Sequence, residues 1–274
     1  MFFTKIIKEL AKYLIIIIIV LILLFPIYYL LLFSFLSKQE FIDKKFPVLY
    51  WVFNPTNYQE IFNSNLLKSL LLTFFAILTM IFLRIIIYSF ISIVLINISE
   101  KLKKIILALI LLTTVVPEFS LYIGLKTVID LLDIKNANYF PLTLTTNTIF
   151  SYFLLVYLFK NIEKVKKEKN QVILNDNLSS YDKFRLVYFP RLKMSYFLIV
   201  VFSVINVWND YLWPSFLMYG TKDQNITLWF KNLGQTPLGN TFLNVQAAGA
   251  VFSLMIPLSI YLIFSKFINK QISK

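Results

Sequence analysis

The sequence contains no cysteine and no histidine among its 274 residues. The missing cysteines exclude disulfide bonds, thiolate metal ligands and cysteine nucleophiles, and the missing histidines remove the commonest metal ligand and general base. Charged residues make up only 15% of the chain, and just 14 of them are acidic. We therefore predict a protein that is not an enzyme, with no catalytic residue, no metal site and no cofactor.

Hydrophobic residues are abundant instead, at 58% of the chain, against about 45–50% in soluble domains. Several apolar runs exceed the roughly 18 to 20 residues that a helix needs to cross a bilayer, and the alternating segments of a membrane β-barrel are missing. The sequence predicts an all-α, polytopic membrane protein with one transmembrane domain over residues 1–274. We expect six spans, at residues 14–36, 67–96, 105–125, 144–159, 196–217 and 245–267.

The 27 Lys and Arg residues give a net charge of +13, and their distribution predicts the topology. With the N-terminus placed inside, the inner segments hold more than twice as many basic residues as the outer ones. The positive-inside rule then places both termini in the cytoplasm of a bacterial inner membrane. The basic excess is explained by topology, so nucleic acid is not expected as a partner.

The longest polar interruption is an amphipathic segment at residues 170–192. Its apolar residues follow helical spacing at Leu174, Leu178, Tyr181, Phe184 and Tyr188. Asn177 tolerates the left-handed conformation, and Ser179 with Asp182 predicts the start of a second helix. Pro190 predicts that this helix ends at Phe189. From these residues alone, the apolar face fits a membrane surface as well as a protein partner.

Ionisable residues inside the predicted spans are costly and usually face the interior of the bundle or a cavity. Arg84 and Glu118 lie at similar depths when about 1.5 Å is counted per residue, so we hypothesise an intramembrane ion pair between them. A second group comprises Trp208, Asn209, Asp210 and Trp213. Aromatic rings stack on sugars, and amides and carboxylates bind hydroxyls, so this group is a candidate for the translocation path or a gate.

Several stretches resemble the membrane subunits of ABC importers, in particular the maltose-transporter-like sugar permeases. Residues 207–214 read VWNDYLWP, which is similar to the W-N-D-x-L-W-P signature of that branch. The loop at about residues 160–193 is similar to the E-A-A coupling loop. Gln171 begins the E-A-A positions, Asp176 and Asn177 stand at the Asp-Gly positions, and Phe189-Pro190 ends the loop. Pro55 to Tyr58, Val116-Pro117 and the last span also fit in order.

The resemblance implies a type I importer permease that forms the translocation path with a second, homologous permease. Its expected partners are two ABC ATPase subunits and an extracellular substrate-binding lipoprotein. It also implies that the coupling loop transmits ATP-driven movement, through Gln171, Asp176, Asn177, Ser179, Tyr181, Phe184 and Pro190. The expected substrates are oligosaccharides, monosaccharides or glycerol phosphates.

Functions of other classes fit the sequence less well. The stretch GQTPLGNT at residues 234–241 nearly matches a phosphate-binding loop, but Asn240 stands where that loop requires lysine, and we interpret it as a turn. The chain therefore lacks an ATPase motif of its own. A stand-alone secondary transporter or channel predicts repeated halves, which the sequence does not show. A permease for a non-sugar solute and a membrane scaffold stay open at this point.

Overall fold

The computed structural model describes residues 2–43, 53–62, 65–134, 137–175, 179–236 and 239–272. These residues form helices and no named β-strand, which confirms the all-α class. Along the chain the α-helices are α1 (Phe2–Ser34), α2 (Lys38–Ile42), α3 (Thr56–Phe62), α4 (Leu66–Asn97), α5 (Glu100–Val115), α6 (Glu118–Leu131), α7 (Phe140–Thr143), α8 (Tyr152–Asn175), α9 (Ser180–Asp182), α10 (Phe189–Asn209), α11 (Leu212–Leu217), α12 (Ile226–Asn232) and α13 (Leu243–Ile272). A 3₁₀ turn (Ala137–Tyr139) precedes α7, and a π-helical stretch (Lys183–Tyr188) joins α9 to α10.

The chain divides into two compact units. Unit 1 comprises residues 1–66 and 229–263 and contains α1 to α3 and most of α13. Buried amides organise it: Asn57 Nδ2 donates to the carbonyls of Ser34 (2.9 Å) and Leu36 (2.8 Å), and Asn244 Nδ2 donates to the Leu36 carbonyl (2.8 Å). The carbonyls at the end of a helix have no partner within it, so these amides satisfy the end of α1.

The described residues 234–236 and 239–242 also belong to unit 1. Gly234 has φ of +69° and Gly239 has φ of +79°, values that favour glycine. Gln235 pairs with Thr241 in an isolated antiparallel bridge. A Cβ atom at Gly234 would lie 2.7 Å from the carbonyl oxygen of Phe242, so close approach of the backbone requires glycine there. These features confirm a turn at this near-match to the phosphate-binding loop.

Unit 2 comprises residues 67–228 and 264–274 and has two hydrophobic cores. The first surrounds Trp213 and Tyr122, which are fully or almost fully buried, and includes Met80 of α4. The second surrounds Leu155 and Leu158 of α8 and Ile199 of α10. Leucine and isoleucine at spacings of three and four residues supply these cores, as amphipathic helices require.

Four helical segments in the described residues are long and apolar enough to cross a membrane: Ile6–Ser34, Leu66–Asn97, Lys183–Asn209 and Leu243–Ile263. The pair α5 and α6 passes the same test together, with a bend of 97° between them. Val116 is extended at the bend (φ −65°, ψ 130°), because the proline that follows disfavours helix there. The structure thus supports four or five spans, and the six-span count is not confirmed.

Three predicted spans differ from the structure. The span predicted over residues 105–125 is broken at Val116, and two others have different boundaries. Residues 144–159 do not form one helix, because the chain turns irregularly through its threonines and α8 begins only at Tyr152. The helix predicted over residues 196–217 ends at Asn209, where Asp210 adopts an extended backbone (φ −71°, ψ 118°) before α11 begins. Average hydropathy does not register either break, because the residues on both sides are apolar.

Candidate functional site

The segment at residues 179–189 begins with the predicted cap. The Asp182 amide donates to Ser179 Oγ (3.1 Å), and Ser179 Oγ donates to Asp182 Oδ2 (2.6 Å). Serine at this position satisfies a backbone amide that has no helical partner. The predicted helix start at Ser179 is confirmed.

The predicted helix end at Phe189 is wrong. Phe189 stays in the right-handed helical region (φ −55°, ψ −44°), and its amide donates to the carbonyl of Phe184 across a π-helical turn. The helix then continues through Pro190 into α10. A π-helical turn contains one residue more than an α-helical turn. Pro190 lies in the first turn of α10, where the missing N–H of a proline has no partner to lose.

The face predicted to dock a partner is partly described. Tyr181 and Phe184 are exposed, at 67% and 48%, whereas Tyr188 is half-buried and contacts the second core. Gln171 lies in the last two turns of α8, but its side chain and the whole of Asp176 and Asn177 lie outside the described residues. The hinge at Asn177 is therefore a prediction that the structure does not test.

A second candidate site consists of two adjoining polar cavities in unit 2, of about 400 and 410 Å³. Both are lined by Glu118 at the start of α6, by Asn147 and Thr148, and by Asn206 of α10. Asn209 and Asp210 line the first cavity only. Carboxylate, amide and hydroxyl groups converging on one space can hydrogen-bond a polar, hydroxyl-bearing ligand.

Asp210 is held by contacts on both its side chain and its backbone. Its carboxylate accepts hydrogen bonds from Asn147 Nδ2 (2.9 Å) and from the Trp213 amide (3.3 Å). Its carbonyl accepts from Asn225 Nδ2 (2.9 Å) and Thr227 Oγ1 (2.6 Å). Asp210 thus satisfies the Trp213 amide in the first turn of α11 and fixes the break after α10, and it also lines the first cavity.

The two tryptophans predicted beside Asp210 do not line this cavity. Trp213 is fully buried, and its Nε1 donates to the Thr143 carbonyl (2.9 Å). Trp208 packs against the first core. The structure therefore brings Asn209 and Asp210 to the cavity and places both tryptophans in packing positions.

Arg84 does not pair with Glu118. Its guanidinium is fully buried and donates to the carbonyls of Thr148 and Ile149 (3.3 Å to the latter) and to Ser203 Oγ (3.1 Å). With the Asn206 amide oriented so that its Nδ2 donates to the Phe202 carbonyl (3.1 Å), its Oδ1 accepts a further hydrogen bond from Arg84 (2.9 Å).

Glu118 instead accepts a hydrogen bond from the Tyr122 hydroxyl (3.1 Å). The predicted ion pair is wrong because the irregular chain at residues 145–151 offers Arg84 backbone acceptors.

Tyr88 lies beside Arg84, one helical turn further along α4. Its hydroxyl donates to the Ile149 carbonyl (2.8 Å) and accepts from the Ser151 amide (2.7 Å). Backbone polar groups outside regular structure must find partners when they lie at membrane depth. Arg84 and Tyr88 supply those partners for the segment that carries Asn147 and Thr148 into the cavities.

Sequence reasoning missed Tyr122, Asn147, Thr148 and Asn206 as cavity residues. One signal was available: residues 145–148 read TTNT within a predicted apolar span. A polar run of that kind indicates a break or a cavity. Among the described residues, no cluster of three or more acidic side chains has the arrangement of a metal site, and the cavity groups suit hydrogen bonding to a solute.

Comparison with known proteins identifies relatives over nearly the whole chain, although no family model matches it. A probable ABC transporter permease, MG189 of Mycoplasma genitalium, is 25% identical over 98% of this chain and 89% of its own length. Its homologue in Mycoplasma pneumoniae is 28% identical over 63% of this chain and 57% of its own length. The resemblance to ABC transporter permeases is confirmed. Permeases are transport subunits rather than enzymes.

Two further likenesses come from transporters of carbohydrates. The lactose transport permease LacG of Rhizobium radiobacter is 25% identical over 49% of this chain and 48% of its own length. A chain of a bacterial ABC transporter that imports the acidic polysaccharide alginate has the same fold, with a TM-score of 0.75 over 96% of this chain and 97% of that one, at 17% identity. The fold is thus one on which an ABC importer is built.

Proposed function

We propose that this chain is a membrane-spanning permease subunit of an ATP-driven importer for sugars. The observation that carries the proposal is the likeness to ABC transporter permeases over 98% of the chain. Carbohydrate as the substrate is supported by the lactose permease among the relatives and by the carboxylate, amide and hydroxyl lining of the two polar cavities.

In this proposal the polar cavities form part of the translocation path, and Asn209 and Asp210 contact the solute. A second permease completes the path, and an extracellular substrate-binding lipoprotein delivers the sugar. Alternating access requires two conformations that ATP binding and substrate binding stabilise differently. The breaks at residues 116, 145–151 and 210 divide the helices into parts, as the discontinuous helices of other transporters are divided.

The segment at residues 179–189 is the proposed contact for an ATPase subunit, and the second permease contacts the other. It begins at the capping residue Ser179, and its exposed rings, Tyr181, Phe184 and Phe189, offer an apolar face of the kind that helix-in-groove recognition uses. Pro190 follows in the first turn of α10, so movement of the segment is transmitted directly to the helix that carries Asn206 and Asn209. We place this segment and both termini in the cytoplasm.

A co-purification experiment tests this assignment. An affinity-tagged full-length chain, expressed with its candidate ATPase, is expected to retain the ATPase in mild detergent. Replacing Tyr181→Asp and Phe184→Asp together is expected to abolish retention, because two charges enter an apolar contact. Tyr219→Asp is the matched control, since Tyr219 is 84% exposed in a turn distant in sequence from the segment. Retention by the double variant would overturn the assigned face.

A further inference from the structure

A third cavity in unit 2 is a groove larger than the two polar cavities, which we call the lysine groove. It has a volume of about 710 Å³ and lies between α4, α8 and the helix that runs from Lys183 into α10. Most of its lining is apolar, and the proposed translocation path does not include it.

Hydrogen-bonded side chains line both the apolar part of the groove and its other end. Ser89 Oγ and the Tyr196 hydroxyl are hydrogen-bonded (3.1 Å) across the apolar part, where Ile85, Ile86 and Leu192 complete the lining. At the other end Lys166 Nζ donates to Asn97 Oδ1 (3.1 Å). From Ile85 to Asn97 the groove follows α4 for about 18 Å at 1.5 Å per residue.

The charged residues that line the groove are all positive. Lys166 and Lys183 are the charged residues that line it, and no carboxylate belongs to the described lining. Both lysines fall within the basic loop that the charge distribution places on the cytoplasmic side. Anionic lipids give the cytoplasmic leaflet a negative surface potential, which attracts lysines at that level.

We infer that the lysine groove binds one anionic phospholipid. An acyl chain lies along the apolar wall from Leu192 towards Ile85, and the phosphate sits at the polar end between Lys166 and Lys183. The groove matches an amphiphile in both respects, since its apolar length and its positive end correspond to the two parts of such a molecule. Lys183 and Phe184 line the groove and also belong to the proposed ATPase contact at residues 179–189. Retention of the ATPase is therefore measured beside retention of lipid, and loss of the lipid preference with the ATPase still bound separates this inference from the proposed coupling.

Native mass spectrometry of the full-length chain, purified with its partner subunits, tests the inference. The complex is exchanged with phosphatidylglycerol or phosphatidylcholine of identical acyl chains, and free glycerol phosphate serves as a headgroup without a chain. We expect phosphatidylglycerol to be retained about 30-fold more strongly than phosphatidylcholine. This factor corresponds to the attraction of two lysines to an anionic lipid. Glycerol phosphate is expected not to compete.

The variant Lys166→Gln with Lys183→Gln is expected to remove this preference. Lys164→Gln with Lys167→Gln is the matched control, because both of these lysines lie on α8 outside the groove and the same charge is removed. Ile93→Trp, which fills the groove without changing charge, is expected to lower retention of both lipids. Equal retention of the two lipids by the unsubstituted chain, or an equal loss in the control, overturns the inference.

A photo-crosslinker at position 93 identifies the occupant directly, because Ile93 lines the groove and is 55% exposed. In the assembled complex we expect it to capture phospholipid. Capture of a partner subunit without lipid would show that protein covers the groove and would overturn the assignment.

Discussion

Arg84 illustrates how one buried cation is stabilised without a counter-charge among the described residues. Its guanidinium is satisfied by the carbonyls of Thr148 and Ile149 and by the side chains of Ser203 and Asn206. Those contacts join α4, the 145–151 segment and α10. The residue therefore positions Asn147 and Thr148 at the cavities through the backbone on which they lie.

Replacing Arg84→Met is expected to lower the free energy of unfolding by about 3 kcal/mol, because the Thr148 carbonyl loses its charged donor and Ser203 loses a buried partner. The Ile149 carbonyl keeps the hydrogen bond from the Tyr88 hydroxyl. The apparent melting temperature in detergent, followed by tryptophan fluorescence, is expected to fall by roughly 10 °C. Arg185→Met is the control, since Arg185 is exposed. Arg84→Glu with Glu118→Arg exchanges the two charges. If this double variant were as stable as the unsubstituted chain, it would contradict stabilisation of Arg84 by backbone carbonyls.

Asn209 offers the cleanest test of the translocation path, because it is exposed to the cavity and does not cap a helix. Asn209→Ala is expected to reduce uptake of the transported sugar about fivefold, which corresponds to one neutral hydrogen bond. Binding of the ATPase is expected to stay unchanged. Asn240→Ala, in the exposed turn of unit 1, is the control. Unchanged uptake by Asn209→Ala would remove that residue from the path.

The residues of the cavity were only partly predictable from the sequence. Asn209 and Asp210 were identifiable because a polar pair interrupts an apolar run. The pairing of Arg84 with Glu118 was wrong because counting residues along ideal helices gives depth but no partner. Backbone carbonyls that become free in an irregular segment compete for a buried cation, and sequence carries no direct sign of them.

The capped segment at residues 179–189 is the element on which the coupling proposal rests. Ser179→Ala removes the acceptor of the Asp182 amide and is expected to cost about 1 kcal/mol of local stability. Hydrogen exchange at Asp182 is therefore expected to accelerate about fivefold. Ser179→Asn, which keeps an oxygen acceptor, is expected to retain most of the protection. No change in the alanine variant would show that the cap does not stabilise the segment.

At the scale of elements, hydropathy located α1, α4 and α13 but not the ends of the interrupted helices. Pro190 predicted a helix end, yet a π-helical turn absorbs it and the helix continues. The break at Asp210 depends on hydrogen bonds from Asn225 and Thr227, which follow 15 and 17 residues later in the chain. Such contacts are tertiary, so a local pattern does not reveal them.

The whole molecule is predicted to have both termini in the cytoplasm. Because the chain contains no cysteine, single introduced cysteines report the side on which each residue lies. Lys222→Cys is expected to react in intact cells with a membrane-impermeant maleimide, whereas Lys164→Cys is expected to react only after the membrane is permeabilised. The reverse pattern would invert the topology and place the proposed coupling segment outside.

The central claim is that ATP hydrolysis by partner subunits drives sugar movement through this chain. The direct measurement is sugar uptake into right-side-out proteoliposomes that contain the assembled complex, with the binding protein outside and with or without ATP enclosed on the ATPase side. We predict uptake that requires ATP and the binding protein and that is lost with Tyr181→Asp and Phe184→Asp. Uptake by the chain alone, driven by an ion gradient without ATP, would contradict the account.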